Sequence, residues 1–178
     1  VEVVELEPPE DAEPVHWRLL SSLPVHNPDE SLRIVDIYRK RWLIEEFFKS
    51  LKTGCSAERR QARTLGSLWK TITLLVPIAY RLLALRVIAR AAPDAPGTKV
   101  LSEIELVALR SKVGERLLPK KPTSRHVLLA VARLGGHLRS NGEPGWLVLG
   151  RGLERLETIA WAWNEALKFS AEGGLYEK

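Results

Sequence analysis

Polar side chains recur at helical spacing in the stretch YRKRWLIEEFFKSLKTG, which begins at Tyr38. With Tyr38 at zero and about 100° per residue, Arg41 and Glu45 fall on one side of a helical wheel. Lys49 and Lys52 join them within roughly an 80° arc. A tyrosine hydroxyl and a row of cations can hold phosphate groups through charge-assisted hydrogen bonds. The pattern therefore predicts a face that binds a nucleic-acid backbone.

One carboxylate, Glu45, lies among these cations. A lone carboxylate repels DNA unless a divalent cation lies between the two, because cations of that kind take oxygen ligands from both. Glu45 is therefore a candidate metal ligand. The alternative is a solvated helical face that is held by i,i+4 ion pairs such as Arg41–Glu45.

The distribution of charge supports an anionic partner. The 178 residues carry a net charge of +5 and have a sequence pI near 9.5. Residues 33–70 contain ten Lys or Arg residues against four acidic ones, whereas residues 1–14 contain six acidic residues and no basic one. The single cysteine, Cys55, excludes an intrachain disulfide and a cysteine-based zinc site. The four histidines show no metal-ligand spacing.

No segment has the full pattern of a membrane span or a signal peptide. The most apolar stretch, residues 68–89, is interrupted by Lys70, Arg81 and Arg86. Its longest uncharged run, residues 71–80, is about half of what a membrane span needs. The chain contains no methionine. We therefore expect it to be an excerpt of a longer protein.

Sequence patterns predict two strands followed by helices. Residues 1–7 alternate apolar and acidic types, and residues 16–25 form a second strand candidate, so the pair resembles a hairpin with a long connection. The sequence Asn-Pro-Asp-Glu from Asn27 is a capping box, and Gly54 is a C-terminal cap. These signals predict a single helix over residues 28–53. Its buried stripe is expected to comprise Ile37, Ile44, Phe47, Phe48 and Leu51.

Further helices are predicted in the rest of the chain. Thr64 caps a long helix that ends near residue 91 and contains Pro77. The remaining helices are predicted from a capping box at Ser102 to residue 113, over residues 124–138 and over residues 152–169. Of Trp161 and Trp163 in the last helix, one is expected in the core and the other at an interface.

The spacing Tyr38-x2-Arg41-x3-Glu45-x6-Lys52 resembles the signature of bacterial DDE transposases of the insertion-sequence-four family. Four residue types at three fixed gaps make this resemblance specific. Similarity continues through VHWRLLSSLPV before the signature, and through RHVLLAVARLGGHL and the Gly-Trp-plus-helix segment after it. It covers nearly the whole chain.

The resemblance implies an α+β fragment that is mostly α. Residues 1–63 would be the C-terminal end of an RNase H-like catalytic domain, with a short β-hairpin from an inserted β-segment and a long catalytic helix. Residues 64–178 would be an all-helical C-terminal dimerisation domain. The implied partners are the DNA of transposon ends and a second copy of the chain, in the cytoplasm and nucleoid of a bacterium.

The resemblance also assigns roles to individual residues. Glu45 would be the catalytic glutamate of an Asp-Asp-Glu triad that holds two Mg²⁺ or Mn²⁺ ions. Tyr38, Arg41 and Lys52 would contact DNA phosphates, with Lys49 beside them. Trp17 would stack on a base that is flipped out near the cut site. For Trp17 the alternative is a strand aromatic that packs in a core.

The chain departs from the family in one respect. Both aspartates of the triad belong to strands that should precede Val1, so we expect that the 178-residue chain cannot cut DNA alone. A second hypothesis is a non-catalytic DNA-binding and dimerising derivative that inhibits the full-length transposase. A third is a helical protein–protein module with an incidental solvated face, which predicts no salt-dependent DNA binding.

Overall fold

The computed structural model describes residues 1–171, which form a short antiparallel hairpin followed by helices. The strands are β1 (Glu2–Val4) and β2 (His16–Arg18). The α-helices are α1 (Pro28–Lys40), α2 (Trp42–Lys49), α3 (Leu65–Ala91), α4 (Glu103–Val113), α5 (Ser124–Leu134) and α6 (Trp146–Ala171). A π turn spans Ser50–Gly54, and 3-10 turns span Ala57–Arg59, Gly97–Lys99 and Arg139–Asn141. The prediction of a mostly helical chain with two N-terminal strands is confirmed.

The chain divides into two compact units, the hairpin unit (Val1–Glu46) and the helical unit (from Phe47 onward). The division falls within α2, and the domain boundary expected after residue 63 stays a prediction. The π turn that follows α2 packs against α3 and α6. The end of the predicted long helix therefore belongs to the helical unit.

The hairpin is held by backbone pairing and by one acidic side chain. Val3 pairs with Trp17 in the antiparallel register. The Glu2 carboxylate lies 2.6 Å from His16 Nε2 and 3.3 Å from Arg18 Nε. Hydrogen bonds from His16 and Arg18 lower the pKa of Glu2. Both strands are three residues long and shorter than predicted.

The prediction of one helix over residues 28–53 is wrong. The helix begins at its predicted cap, Asn27, but tightens at Arg41. There the Arg41 N–H donates to the Tyr38 carbonyl at 3.0 Å, and the Ile44 N–H donates to the Arg41 carbonyl at 3.0 Å. These i→i+3 bonds belong to a 3-10 turn, which separates α1 from α2.

The same helix then widens after Lys49. In the π turn the Cys55 N–H donates to the Ser50 carbonyl at 2.9 Å, five residues back along the chain. A wider turn changes the angular step per residue. The 100° step that aligned Lys52 with the earlier residues therefore does not hold through this turn.

The apolar stripe predicted for this helix is only partly buried. Leu51 is 8% exposed, and Phe47 packs against the core of the helical unit. Ile37, Ile44 and Phe48 are about half exposed, at 48%, 56% and 49%. Their predicted burial is wrong, because helical periodicity identifies an apolar face but not a neighbour that covers it.

α3 is a helix of 27 residues in the helical unit. It starts at its predicted cap, where the Ser67 N–H donates to the Thr64 hydroxyl at 3.1 Å. Among residues 1–171 it is the one helix long and apolar enough to cross a membrane by length and composition. Its C-terminal half packs in the protein core through Ala79, Leu82, Leu85 and Ala89. This packing accounts for part of its apolar composition, because 28% of the residues in its apolar window are buried.

α6 begins at Trp146, before the start predicted at residue 152. Gly150 and Gly152 both lie inside the helix at points where another backbone approaches closely. A Cβ on Gly150 would lie 1.9 Å from the Gly54 carbonyl oxygen, and one on Gly152 would lie 2.0 Å from the Val131 carbonyl oxygen. These glycines are packing residues, because only a missing side chain permits such contacts.

The tryptophan in the core is also not the predicted one. Trp161 and Trp163 are both exposed, at 67% and 37%, so the expectation that one of them anchors the core is wrong. Trp146 is buried instead, and the Arg86 guanidinium lies 4.4 Å from its ring centroid.

Arg81 joins three helices of this unit. From α3 its Nη2 donates to Glu105 Oε1 of α4 at 2.6 Å, and its Nη1 donates to Glu157 Oε1 of α6 at 2.7 Å. Burial alone would raise the pKa of Glu105, but hydrogen bonds from Arg81 and Ser102 outweigh burial and lower this pKa. Burial raises the pKa of Glu157, and the charge of Glu105 adds to this effect. Glu105 also completes the predicted capping box with Ser102.

Candidate nucleic-acid interface

An aromatic and cationic cluster forms on the hairpin unit where β2 faces α1. The Trp17 and Tyr38 ring centroids lie 5.1 Å apart, with an interplanar angle of 63°. This edge-to-face arrangement is a favourable aromatic geometry. The Arg41 guanidinium lies 5.5 Å from the Tyr38 ring centroid, within cation–π distance. Three of the residues singled out by the sequence are thus brought together.

The cluster lines an open cleft of about 430 Å³. Arg39 and Trp42 complete its walls beside Trp17, Tyr38 and Arg41. An open cleft with indole and phenol walls and guanidinium groups at its edge can accept a planar base by stacking and a phosphate by charge. Trp17 is partly buried, packs against Tyr38 and also lines this cleft.

Sequence reasoning missed Arg39 and Trp42. Trp42 follows Tyr38 by four residues, and residues at that spacing share one helical face. This signal was available in the sequence. Arg39 gave no such signal, and its guanidinium lies 3.9 Å from the Asp36 carboxylate.

Glu45 forms an ion pair with Arg41, whose Nη1 lies 3.4 Å from Glu45 Oε1. The side chains are 53% and 38% exposed, so the pair matches the solvated i,i+4 alternative and contributes at most about 0.5 kcal/mol to stability. This weak pair leaves the Glu45 carboxylate accessible to another cation.

As a metal centre the described part of the chain is incomplete. Residues 1–171 hold no cluster of three or more His, Cys, Asp or Glu side chains that could bind a metal ion. Glu45 can supply one carboxylate ligand. A magnesium or manganese ion needs further oxygen ligands, so these residues do not fit a complete two-ion site.

Lys49 and Lys52 belong to the helical unit. Lys49 ends α2, and Lys52 lies in the π turn. The Lys52 ammonium lies 3.4 Å from the Glu58 carboxylate, and its side chain is 58% exposed. The turn that supplies Glu58 is followed by the exposed residues Arg60 and Arg63. A cationic surface of this kind suits a phosphate backbone.

A comparison with known protein families finds a match in this region. Residues 5–82 match the family model described as "Transposase DDE domain". The matched segment contains Trp17, Tyr38, Arg41 and Glu45, together with Lys52. The match supports a transposase function and, with it, DNA as a partner. Transposase DDE domains generally use divalent metal ions.

Proposed function

We propose that this chain takes part in cut-and-paste DNA transposition as the C-terminal part of a DDE transposase of the insertion-sequence-four family. The observation that carries the proposal is the cleft formed by Trp17, Tyr38 and Arg41 inside the segment that matches the transposase family model. Base-stacking aromatics and phosphate-binding cations meet there on one small surface.

Within this proposal each residue has a defined task. Trp17 stacks on a base extruded from the DNA end, which exposes the backbone beside the cut site. The Tyr38 hydroxyl donates a hydrogen bond to one phosphate, and the Arg41 guanidinium donates to another. Lys49 and Lys52 add positive point charges that attract the phosphates of the DNA backbone.

Glu45 is proposed as the catalytic glutamate. In a complete centre, two Mg²⁺ or Mn²⁺ ions would be held in part by Glu45 and would supply Lewis-acid chemistry. Glu45 provides one carboxylate toward them. Two further aspartates, outside the residues described, have to complete the set. We therefore expect the 178-residue chain to bind DNA without cutting it.

The helices from residue 64 onward are proposed to form a homodimer. Trp161 and Trp163 support this proposal because two exposed tryptophans on one helix are typical of interface residues. The RNase H-like character of the region before residue 64, and a bacterial nucleoid location, belong to the same proposal.

A second candidate function is a non-catalytic derivative that inhibits the full-length transposase. In this case the chain would act through its DNA-binding and dimerising surfaces alone. Mixed dimers between such a chain and an intact enzyme would lack catalytic groups in one protomer. This candidate predicts that the chain co-purifies with the full-length enzyme and lowers its cleavage rate.

A salt titration tests the proposed DNA binding. Binding of a labelled duplex is measured by fluorescence anisotropy, and the logarithm of the association constant is plotted against the logarithm of salt concentration. Each phosphate contact contributes about 0.9 to the steepness of this plot. Arg41→Ala should reduce the slope by about 0.9. The control is Arg116→Ala, which replaces an exposed arginine outside the basic residues 33–70 and should leave the slope unchanged. A flat plot for the unmodified chain contradicts the proposal.

A further inference from the structure

The π turn buries its first two residues and exposes the next two, Lys52 and Thr53. Ser50 and Leu51 are buried, whereas Lys52 in the middle of the turn extends into solvent. π turns are frequent at functional sites, and a wider turn changes the direction in which side chains leave the helix. The direction of Lys52 therefore depends on what holds this turn in place.

A buried hydroxyl holds the first residue of the turn. Ser50 Oγ lies 2.8 Å from the Phe47 carbonyl oxygen and 2.9 Å from the Ala79 carbonyl oxygen of α3. A serine hydroxyl has one proton to donate, and it is shared between these two acceptors. Ser50 is 0% exposed, so it forms a buried link between the turn and α3.

A backbone contact holds the last residue of the turn. Gly150 of α6 lies so close to Gly54 that a Cβ at Gly150 would be 1.9 Å from the Gly54 carbonyl oxygen and 2.6 Å from its carbonyl carbon. The obstacle is backbone, which cannot swing aside as the end of a side chain can. Any side chain at residue 150 must push the turn and α6 apart.

We infer that Ser50 and Gly150 are positioning residues for Lys52, so the helical unit determines where the Lys52 ammonium meets a DNA phosphate. This inference rests on the proposed phosphate contact of Lys52. Before DNA binds, the Glu58 carboxylate holds the ammonium at 3.4 Å on the same surface. A phosphate then replaces Glu58 as the partner of an ammonium that is already in place.

The experiment uses the whole chain and a labelled duplex with one unpaired base near its end. The slope of log association constant against log salt is measured for Lys52→Ala, Gly150→Ala and Ser50→Ala, and for the last two combined with Lys52→Ala. Lys52→Ala should lower the slope by about 0.9, the value of one phosphate contact. Gly150→Ala and Ser50→Ala should each cause the same decrease and add nothing to Lys52→Ala. Gly66→Ala is the matched control, because a Cβ there meets nothing within 4 Å.

The outcomes separate the inference from the proposed function. If folded Gly150→Ala and Ser50→Ala chains keep the slope of the unmodified protein while Lys52→Ala lowers it, both residues are structural only and the inference is overturned. If Lys52→Ala itself leaves the slope unchanged, the proposed phosphate contact is wrong, and the inference is overturned with it. Circular dichroism establishes folding, and Ser50→Ala decides the matter if Gly150→Ala does not fold.

Discussion

Replacing Arg81 with leucine removes the cation that joins α3, α4 and α6. In the unmodified chain its two terminal nitrogens lie 2.6 Å and 2.7 Å from the carboxylates of Glu105 and Glu157. Leucine keeps the apolar part of the side chain but leaves two carboxylates facing each other without a counter-charge. The Arg81→Leu chain should therefore be less stable at neutral pH.

The expected loss follows from the burial of this cluster. Breaking a fully buried ion pair costs about 3–5 kcal/mol, whereas a surface pair is worth about 0–1 kcal/mol. The Arg81 and Glu157 side chains are 38% and 34% exposed, whereas Glu105 is 13% exposed, so the cluster lies between these limits. A loss of about 2 kcal/mol in the free energy of unfolding is expected, which is about 4–8 °C in Tm for a chain of this size.

The pH dependence provides an independent check. In the unmodified chain the pKa of Glu105 is lowered, so the ionised carboxylate stabilises the folded state. This stabilisation is present above the unfolded pKa near 4.5 and is lost as pH falls through the folded pKa. The pKa of Glu157 is raised, so the protonated carboxyl stabilises the folded state. This stabilisation is present at low pH and is lost as pH rises through the folded pKa. Without Arg81, burial and mutual repulsion raise both pKa values. Arg81→Leu should therefore lose less stability at pH 5 than at pH 7.

Thermal unfolding followed by circular dichroism at both pH values measures these effects. Arg151→Leu, which replaces an exposed arginine of α6, is the matched control and should change stability by less than about 0.5 kcal/mol. The reasoning is refuted if Arg81→Leu has the same Tm as the unmodified chain at pH 7. It is equally refuted if the deficit grows when the pH is lowered to 5.

Three further predictions concern local features of the helical unit. Ser102→Ala removes the capping box at the start of α4 and should lower the free energy of unfolding by about 1 kcal/mol, measured by urea denaturation; an unchanged midpoint argues against the cap. Gly152→Ala places a Cβ 2.0 Å from the Val131 carbonyl oxygen and should lower the free energy of unfolding by at least about 2 kcal/mol. Gly66→Ala is the neutral control. If both variants have the same Tm, the packing argument is contradicted. Burial raises the pKa of the Cys55 thiol to about 11, so a thiol reagent at pH 8 should label it only after unfolding, and rapid labelling of the native chain contradicts its burial.

Features set by a few adjacent residues could be predicted from the sequence. The caps at Asn27, Thr64 and Ser102 depend on side chains that reach backbone groups three residues away, and all three are present. The proximity of Tyr38 and Arg41 follows equally from helical spacing. Such local rules hold because the hydrogen-bond or contact partner lies a few residues away, so tertiary packing does not have to supply it.

Features that depend on distant neighbours could not be predicted. The π turn is held by Ala79 and Gly150, and no local pattern reveals contacts at such separation in sequence. Gly150 resembles a helix breaker until the backbone beside it is known. The edge-to-face contact of Trp17 with Tyr38 likewise requires the hairpin to fold against α1, which strand and helix patterns alone do not specify.

The most direct test of the proposed interface is whether the cleft accepts an unpaired base. A duplex that carries one unpaired 2-aminopurine near its end is titrated with the chain, and the 2-aminopurine fluorescence is recorded, since stacking on an aromatic ring quenches it. The account predicts quenching by the unmodified chain and by the control Trp69→Ala, an exposed tryptophan of α3. Trp17→Ala should lose the quenching and about 1–3 kcal/mol of binding, or about 5- to 150-fold in affinity. If Trp17→Ala quenches and binds as the unmodified chain does, the cleft is not a base-binding site and the central claim is contradicted.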